Sequence, residues 1–411
     1  MSMFEHIPRV PGDAILGLIE AFKNDPRERK IDLGVGVYRD SAGHTPILST
    51  VKAAERYLVE HEATKSYIGS HGAEDYGRLV TSLVFGTHSE VLAQQRVSLT
   101  QSPGGTGALR LAADFLHTNL EGRSIWISDP TWPNHIGLFS TAGITIKRYP
   151  YVDGQNRFVF NRMLDTLRQI PEGDIVLLHA CCHNPTGYDL NREQWQAVLN
   201  VLRERRLLPL VDMAYQGFGH GLDEDAYGVR LLAEHLEAMI ITFSCSKNFG
   251  IYNERTGAFI LVAGNKEERD NVHSQAAITA RENYSNPPAH GASVVSHVLN
   301  DPALRGQWVE EVAVMRQRIR SLREQLVDAL AAHGLRERFS CVLEQNGMFS
   351  YLGLSPEQVD YLRDHYGIYM VRSGRASMAG LRTEQVNDMA AALADAVNTF
   401  DSPTLKSGPS A

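Results

Sequence analysis

Between about residues 100 and 265, short apolar runs alternate with helix-length amphipathic stretches. Ile125–Ile127, Ile175–Cys182, Leu208–Val211, Ile240–Phe243 and Ala258–Val262 are apolar runs of strand length, which predicts buried strands. Gly104–Leu116, Arg192–Arg205 and Ala226–Leu236 lie between them with apolar residues at helical spacing. Strands alternating with helices predict a largely parallel, doubly wound sheet, in which ligands gather beyond the carboxyl ends of the strands. Further on, Val312, Met315, Ile319, Leu322, Leu326 and Leu330 recur every three or four residues. They predict a long helix over about 307–333, closed by Gly334. As one isolated segment it reads as a helix joining two domains rather than as a coiled coil. Ser340–Ser350 and Tyr369–Ser373 read as strands and Thr383–Phe400 as a closing helix. The expected organisation is an N-terminal arm and small-domain segment over 1–45, a large domain over 46–314, a smaller one over 315–400 and a flexible tail over 401–411.

Composition narrows the class. The chain has 411 residues, 43% hydrophobic and 21% charged, as expected of a soluble protein with a substantial core. Forty basic residues against 48 acidic ones leave a net charge of −8, which argues against a nucleic-acid or membrane-surface protein. No apolar run approaches the roughly 18 residues of a membrane span. The opening Met1–Pro8 has neither the basic nor the apolar region of a secretory signal, and four cysteines are too few for a disulfide framework. No fixed-period repeat is present, which excludes solenoids and propellers. A cytoplasmic enzyme is the expectation.

The candidate chemistry sits just after the apolar runs. Ile125–Ile127 leads into Asp129-Pro-Thr-Trp132-Pro-Asn-His135, and the run ending at Cys182 leads into His183-Asn184-Pro-Thr-Gly187. Leu208–Val211 leads into Asp212-Met-Ala-Tyr215, and Ile240–Phe243 into Ser244-Cys-Ser-Lys247-Asn-Phe-Gly250, with Arg255 beyond. Four such junctions in register predict a single site at one sheet edge. A lysine directly after a buried strand has its amine pKa lowered by burial, which frees it for a Schiff base with a carbonyl. Taken alone, Lys247 could be a snorkelling structural lysine and Asp212 a cap or turn residue. On neighbouring strand ends the pair suits pyridoxal phosphate, lysine for the aldehyde and carboxylate for the protonated ring nitrogen. Ser102-Pro-Gly104-Gly105-Thr106-Gly107 opens a helix whose free N–H groups favour an anion; Ser244 and Arg255 would complete a phosphate site. It has neither Walker nor Rossmann spacing. Cys181-Cys182-His183 lacks zinc spacing, so no metal is expected, and the two cysteines read as packing residues. His135, His179 and His183 are candidates for hydrogen-bonded support of the ring. No G-x-S-x-G elbow points to a serine hydrolase.

These segments, with Asn283-Tyr-Ser-Asn-Pro-Pro-Ala-His-Gly291 and Ser373-Gly-Arg375, resemble the aspartate and aromatic-amino-acid aminotransferases over about Phe4–Phe400. The resemblance implies a fold-type I pyridoxal-phosphate transferase: a large α/β domain carrying the cofactor, a smaller α+β domain, and a homodimer with shared active sites. By similarity Lys247 carries the internal aldimine and shuttles the proton at the substrate Cα, while Asp212 keeps the ring nitrogen protonated. Tyr215 and Asn184 would bond the phenolic oxygen, and Trp132 would stack on the ring. Gly105, Thr106, Ser244 and Arg255, with Tyr67 of the second subunit, would take the phosphate. Arg375, Asn184 and Gly36 would grip the α-carboxylate, and Arg281 from the second subunit the distal carboxylate. Two planar arginine clamps at fixed separation suit dicarboxylic acids. Val37, Thr45, Thr106 and Asn286 resemble aspartate-preferring members, whereas Arg39 and Ser66 depart from them. The implied reaction moves the α-amino group between aspartate, phenylalanine or tyrosine and 2-oxoglutarate or oxaloacetate. β-Decarboxylation or racemisation on the same scaffold, or a non-catalytic cofactor-binding module, are the alternatives.

Overall fold

The computed structural model describes residues 2–9 and 14–401; the expected tail beyond Asp401 lies outside them. Among the described residues eleven strands follow in chain order. They are β1 (Ile31–Asp32), β2 (Val97–Pro103), β3 (Ser124–Asp129), β4 (Thr145–Pro150), β5 (Ile175–His179) and β6 (Leu208–Met213). After them come β7 (Met239–Ser244), β8 (Thr256–Val262), β9 (Phe349–Tyr351), β10 (Ile368–Tyr369) and β11 (Arg375–Ser377). Seven form one sheet in the order β2-β8-β7-β6-β5-β3-β4. The sheet is parallel from β7 to β4, but β8 runs antiparallel to both β7 and β2.

Successive residues of the central strands enter opposite cores. Val176, Leu178, Val211, Ile241 and Phe243 join one apolar cluster; Ile175, Leu177, Leu210 and Ile240 join the other. Burial on both faces explains why these strands are continuous apolar runs rather than alternating ones. The helices Gly104–Asn119, Arg192–Glu204 and Tyr227–His235 match their expected positions within a few residues.

The long helix runs Pro302–Ala331 and begins five residues earlier than expected, because Asp301 caps it by accepting the Ala303 and Leu304 N–H groups. All six residues of the expected stripe are buried. Beyond it lie the largest departures. Ser340–Leu343 is a 3-10 turn and only Phe349–Tyr351 is extended, so the expected strand over 340–350 is mostly absent. Of Tyr369–Ser373 only Tyr369 is in a strand; the chain turns and resumes as β11, antiparallel to β9. The strand expected through Cys182 ends at His179, and Cys182 takes a left-handed φ of 53°. The closing helix spans Val386–Asp401 after a 3-10 turn at Thr383–Gln385. β1 pairs in parallel with β10, so the segment near residue 32 lies among residues 350–380. No helix among the described residues is long and apolar enough to cross a membrane.

Candidate active site

The strand register brings the polar junctions to one edge. His179 of β5 lies opposite Asp212 of β6, Asp212 opposite Thr242 of β7, and Ser244 opposite Gly257 of β8. Above this edge is a cavity of about 180 Å³. Its wall includes Lys247, Asp212, Tyr215 and Trp132 near the strand ends, with Asn184 and Gly36 on the side of the small segment. Gly105, Thr106, Ser244 and Arg255 complete it, so ten of the thirteen expected site residues share one space. Arg375 stands just behind Asn184, donating to its Oδ1 at 3.4 Å and to the Gly34 carbonyl at 2.7 Å. Tyr67 is 95% exposed, and Arg281 is exposed and bonded to Ser285; neither lines the cavity.

Electrostatics differ between the two ends. At one end Oδ2 of Asp212 is 3.1 Å from His135 Nε2, and Thr242 donates its hydroxyl to Oδ1 at 3.1 Å. Burial pushes this carboxyl up, but the His135 hydrogen bond and charge outweigh it, leaving it below the ordinary aspartate value. Thr131 meets His135 Nδ1 at 2.8 Å, which fixes the ring. His179 Nδ1 accepts the Asn184 N–H at 3.4 Å, and its buried Nε2 has no partner among the described residues. Burial and the nearby His135 push His179 down to about 3, so this ring stays neutral.

Between the ends sits Lys247, its Nζ 4.8 Å from the centre of the Tyr215 ring. Burial pushes its amine down to about 8; Asp212 opposes this and Arg255 adds to it. Burial raises the Tyr215 phenol well above its usual range.

The far end is built for an anion. Gly105 is in the first turn of the helix Gly104–Asn119, where free N–H groups and the helix dipole converge. A Cβ on Gly104 would come within 2.5 Å of the Arg255 guanidinium, and one on Gly105 within 3.0 Å of Ser244 Cβ. Glycine is therefore what lets the helix start approach the serine and the arginine.

The donor set fits pyridoxal phosphate. Hydroxyls, helix N–H groups and a guanidinium match a phosphate, an anionic carboxylate matches a ring N–H, and an amine of lowered pKa lies between them. His179 Nε2 and Arg375 Nε, both without a partner among the described residues, are further donors in or beside this space.

A family model described as aminotransferase class I and II matches residues 28–393. The chain belongs to that family. It is 56% identical over 394 residues to the aromatic-amino-acid aminotransferase of Pseudomonas aeruginosa, covering 96% of this chain and 99% of that one. It is 47% identical over 392 residues to the aspartate aminotransferase of Escherichia coli, covering 95% and 99%. The crystal structure of the aromatic-amino-acid aminotransferase of Burkholderia pseudomallei, covalently bound to pyridoxal phosphate, is similar with a TM-score of 0.94 and 45% identity. That match covers 96% of this chain and 100% of that one. The expected family, its fold and its pyridoxal-phosphate-dependent aminotransferase chemistry are borne out.

Several residues of this aminotransferase site escaped sequence reasoning. Tyr252 lines the cavity and its hydroxyl accepts the Tyr38 N–H at 3.0 Å; it sits inside the Ser244–Arg255 motif, which was the available signal. Phe349 lies 4.2 Å beneath the Arg375 guanidinium and comes so close to Gly36 that a Cβ there would meet its ring at 2.8 Å. Nothing in its own neighbourhood of sequence marks it. Cys181 and Cys182 are buried near Asp225, their ligand atoms within 4.8 Å of one another. That carboxylate already accepts the N–H groups of Gly217, Gly219 and His220.

Proposed function

We propose that the chain transfers the α-amino group of L-aspartate, phenylalanine or tyrosine to 2-oxoglutarate or oxaloacetate, alternately binding amino and oxo acids at one site. The observation that carries this is the lowered-pKa Lys247 amine in one cavity with Asp212 and a built anion end, beside a buried Arg375 with a free Nε. When bound, pyridoxal phosphate supplies an aldehyde to receive the amino group and a ring that draws electrons from the substrate Cα. Ser244, Arg255, Gly105 and Thr106 would hold the phosphate and Trp132 a ring face. Asp212, its charge stabilised by His135, would hold a proton on the ring nitrogen. Tyr215 and Asn184 would donate to the phenolic oxygen. Lys247 Nζ, neutral in part at physiological pH, would take the proton from Cα and return it on the other side of the transfer. Arg375, Asn184 and the backbone at Gly36 would orient the α-carboxylate.

Tyr67 and Arg281, exposed on this chain, fit the role of residues supplied across a homodimer interface, Tyr67 to the phosphate and Arg281 to the distal carboxylate. The division into 1–45, 46–314 and 315–400 and a cytoplasmic location belong to the same proposal. The names of the relatives favour transamination over decarboxylation or racemisation.

The first test is the visible spectrum of the cofactor-loaded protein before and after adding L-aspartate or, separately, L-phenylalanine. Conversion of the cofactor band by both amino acids is expected. Response to aspartate alone would restrict the enzyme to dicarboxylic acids, and response to neither would end the proposal. Arg281→Leu is then expected to lower kcat/KM for aspartate roughly 150-fold, the equivalent of about 3 kcal/mol for an unpaired carboxylate, and that for phenylalanine less than about fivefold. Equal losses would make Arg281 structural.

A further inference from the structure

Arg375 is held by segments from opposite ends of the chain. Its Nη2 donates to the Gly34 carbonyl at 2.7 Å, its Nη1 to Asn184 Oδ1 at 3.4 Å, and the Phe349 ring lies 4.2 Å beneath it. The Gly34 contact depends on a residue without a side chain, whose backbone is intrinsically free to turn. Asp32 holds this residue by its N–H. Oδ1 of Asp32 accepts the Gly34 N–H at 3.1 Å, a local Asx bond, and Oδ2 accepts from the Arg39 guanidinium at 2.6 Å. The Asp32 side chain is 7% exposed and that of Arg39 25%, so the pair is shielded from water on the aspartate side.

The strand itself does not need this carboxylate. β1 is joined to β10 by backbone bonds, Ile31 N–H to the Gly367 carbonyl and Leu33 N–H to that of Tyr369. The loop is also stitched to β11 and its sequel through Ser377 N–H to Leu33 and Arg39 N–H to Ala379, again backbone to backbone. The two Asp32 side-chain bonds therefore stand apart from the strand pairing: one reaches Gly34, next to Arg375, and the other Arg39.

We infer that Asp32, oriented by Arg39, is a positioning residue that aims the Arg375 guanidinium at the substrate α-carboxylate through Gly34. This rests on Arg375 being the α-carboxylate clamp. Loss of either side chain releases the Gly34 N–H and so loosens the residue whose carbonyl, in the following peptide, is one of the three contacts that set the guanidinium plane. A bidentate clamp out of plane costs affinity for every substrate, because all of them carry the same carboxylate. The pattern differs from that of a distal-carboxylate residue, which would affect dicarboxylic acids alone.

The probe is 3-phenylpropanoate, a monocarboxylate with no amino group to react, titrated calorimetrically into the cofactor-loaded enzyme. Arg39→Gln and Asp32→Asn should each raise its Kd about tenfold, and Arg39→Lys should stay within about threefold of the parent. The double variant should be no weaker than Asp32→Asn alone, since the two act in series. KM for aspartate and for phenylalanine should rise together, with the loss falling on KM rather than kcat. An unchanged Kd in Arg39→Gln, an effect confined to aspartate, or additive losses in the double variant would each overturn the inference. Arg39→Gln carries the test by itself if Asp32→Asn does not fold. Arg375→Gln separates the two layers. If it leaves the Kd unchanged, the clamp reading has failed. If it abolishes binding while the Arg39 and Asp32 variants bind normally, only the positioning role has.

Discussion

Replacing Lys247 by alanine is expected to lower turnover with every amino-acid substrate by at least about 10⁴-fold, since both the covalent anchor and the proton carrier disappear. The cofactor pocket should survive. Ser244 ends β7, Arg255 directly precedes β8 and the helix start at Gly104 directly follows β2, and none of these strands depends on the lysine amine. The variant should thus bind pyridoxal phosphate but lose it on dialysis, whereas the parent retains it; visible absorbance before and after dialysis checks this. Turnover within tenfold of the parent would end the account. The pH dependence of the amine gives a companion readout in cofactor-free protein. With its value lowered from 10.5 to about 8, the neutral, reactive form of Lys247 grows in as pH rises through 8. About half is neutral there, against roughly 0.3% for an ordinary lysine. Acylation at Lys247, followed by mass spectrometry, should show a midpoint near pH 8; a midpoint near 10 would mean the burial seen here does not reach the amine.

The second large effect is expected from Asp212→Asn. Asparagine keeps the shape and can still accept from Thr242, so the fold should be untouched, but the negative charge beside His135 is gone. A preorganised charge in a water-poor site contributes most where charge develops, and removing one such group costs roughly 10²–10³-fold in kcat. The loss should be the same for aspartate and phenylalanine, because Asp212 lies at the cofactor end and not among the proposed carboxylate contacts. KM should move little. A kcat within about threefold of the parent would show that Asp212 only holds His135 in place.

Much of this was readable before any coordinates. The five apolar runs became strands because burial on both faces demands continuous hydrophobicity, and the polar residues after them landed on one edge because consecutive parallel strands end at the same side. The two missed strands of the large sheet failed for opposite reasons. β4, Thr145–Pro150, is an edge strand with a largely exposed face and two basic residues. β2 is buried yet polar, its Thr100, Gln101 and Ser102 satisfied by specific partners instead of by apolar packing. The reversal of β8 was hidden because an antiparallel strand buried on both faces has the same composition as a parallel one. In the small segment, strands of two or three residues carry no period, so neither β9 nor β11 could be placed. Phe349 and Asp32 escaped for a related reason: their importance comes from what they touch 26 and 2 residues away, and the first of those pairs is set by tertiary packing.

The hydrogen bond from Arg375 to Gly34 spans 341 residues of chain. The groups proposed for the cofactor within one chain's cavity lie between Gly105 and Arg255, and most of their separations are bridged by sheet neighbours. Closing a contact over the longer distance carries the greater entropic cost and comes late in assembly. On the ribosome the order is stricter still. A nascent chain halted between residues 255 and 375 already contains the lysine, the aspartate and the phosphate cradle, but has no Arg375 guanidinium to offer the Gly34 carbonyl. Synthesis therefore supplies the lysine, the aspartate and the phosphate cradle more than a hundred residues before Arg375.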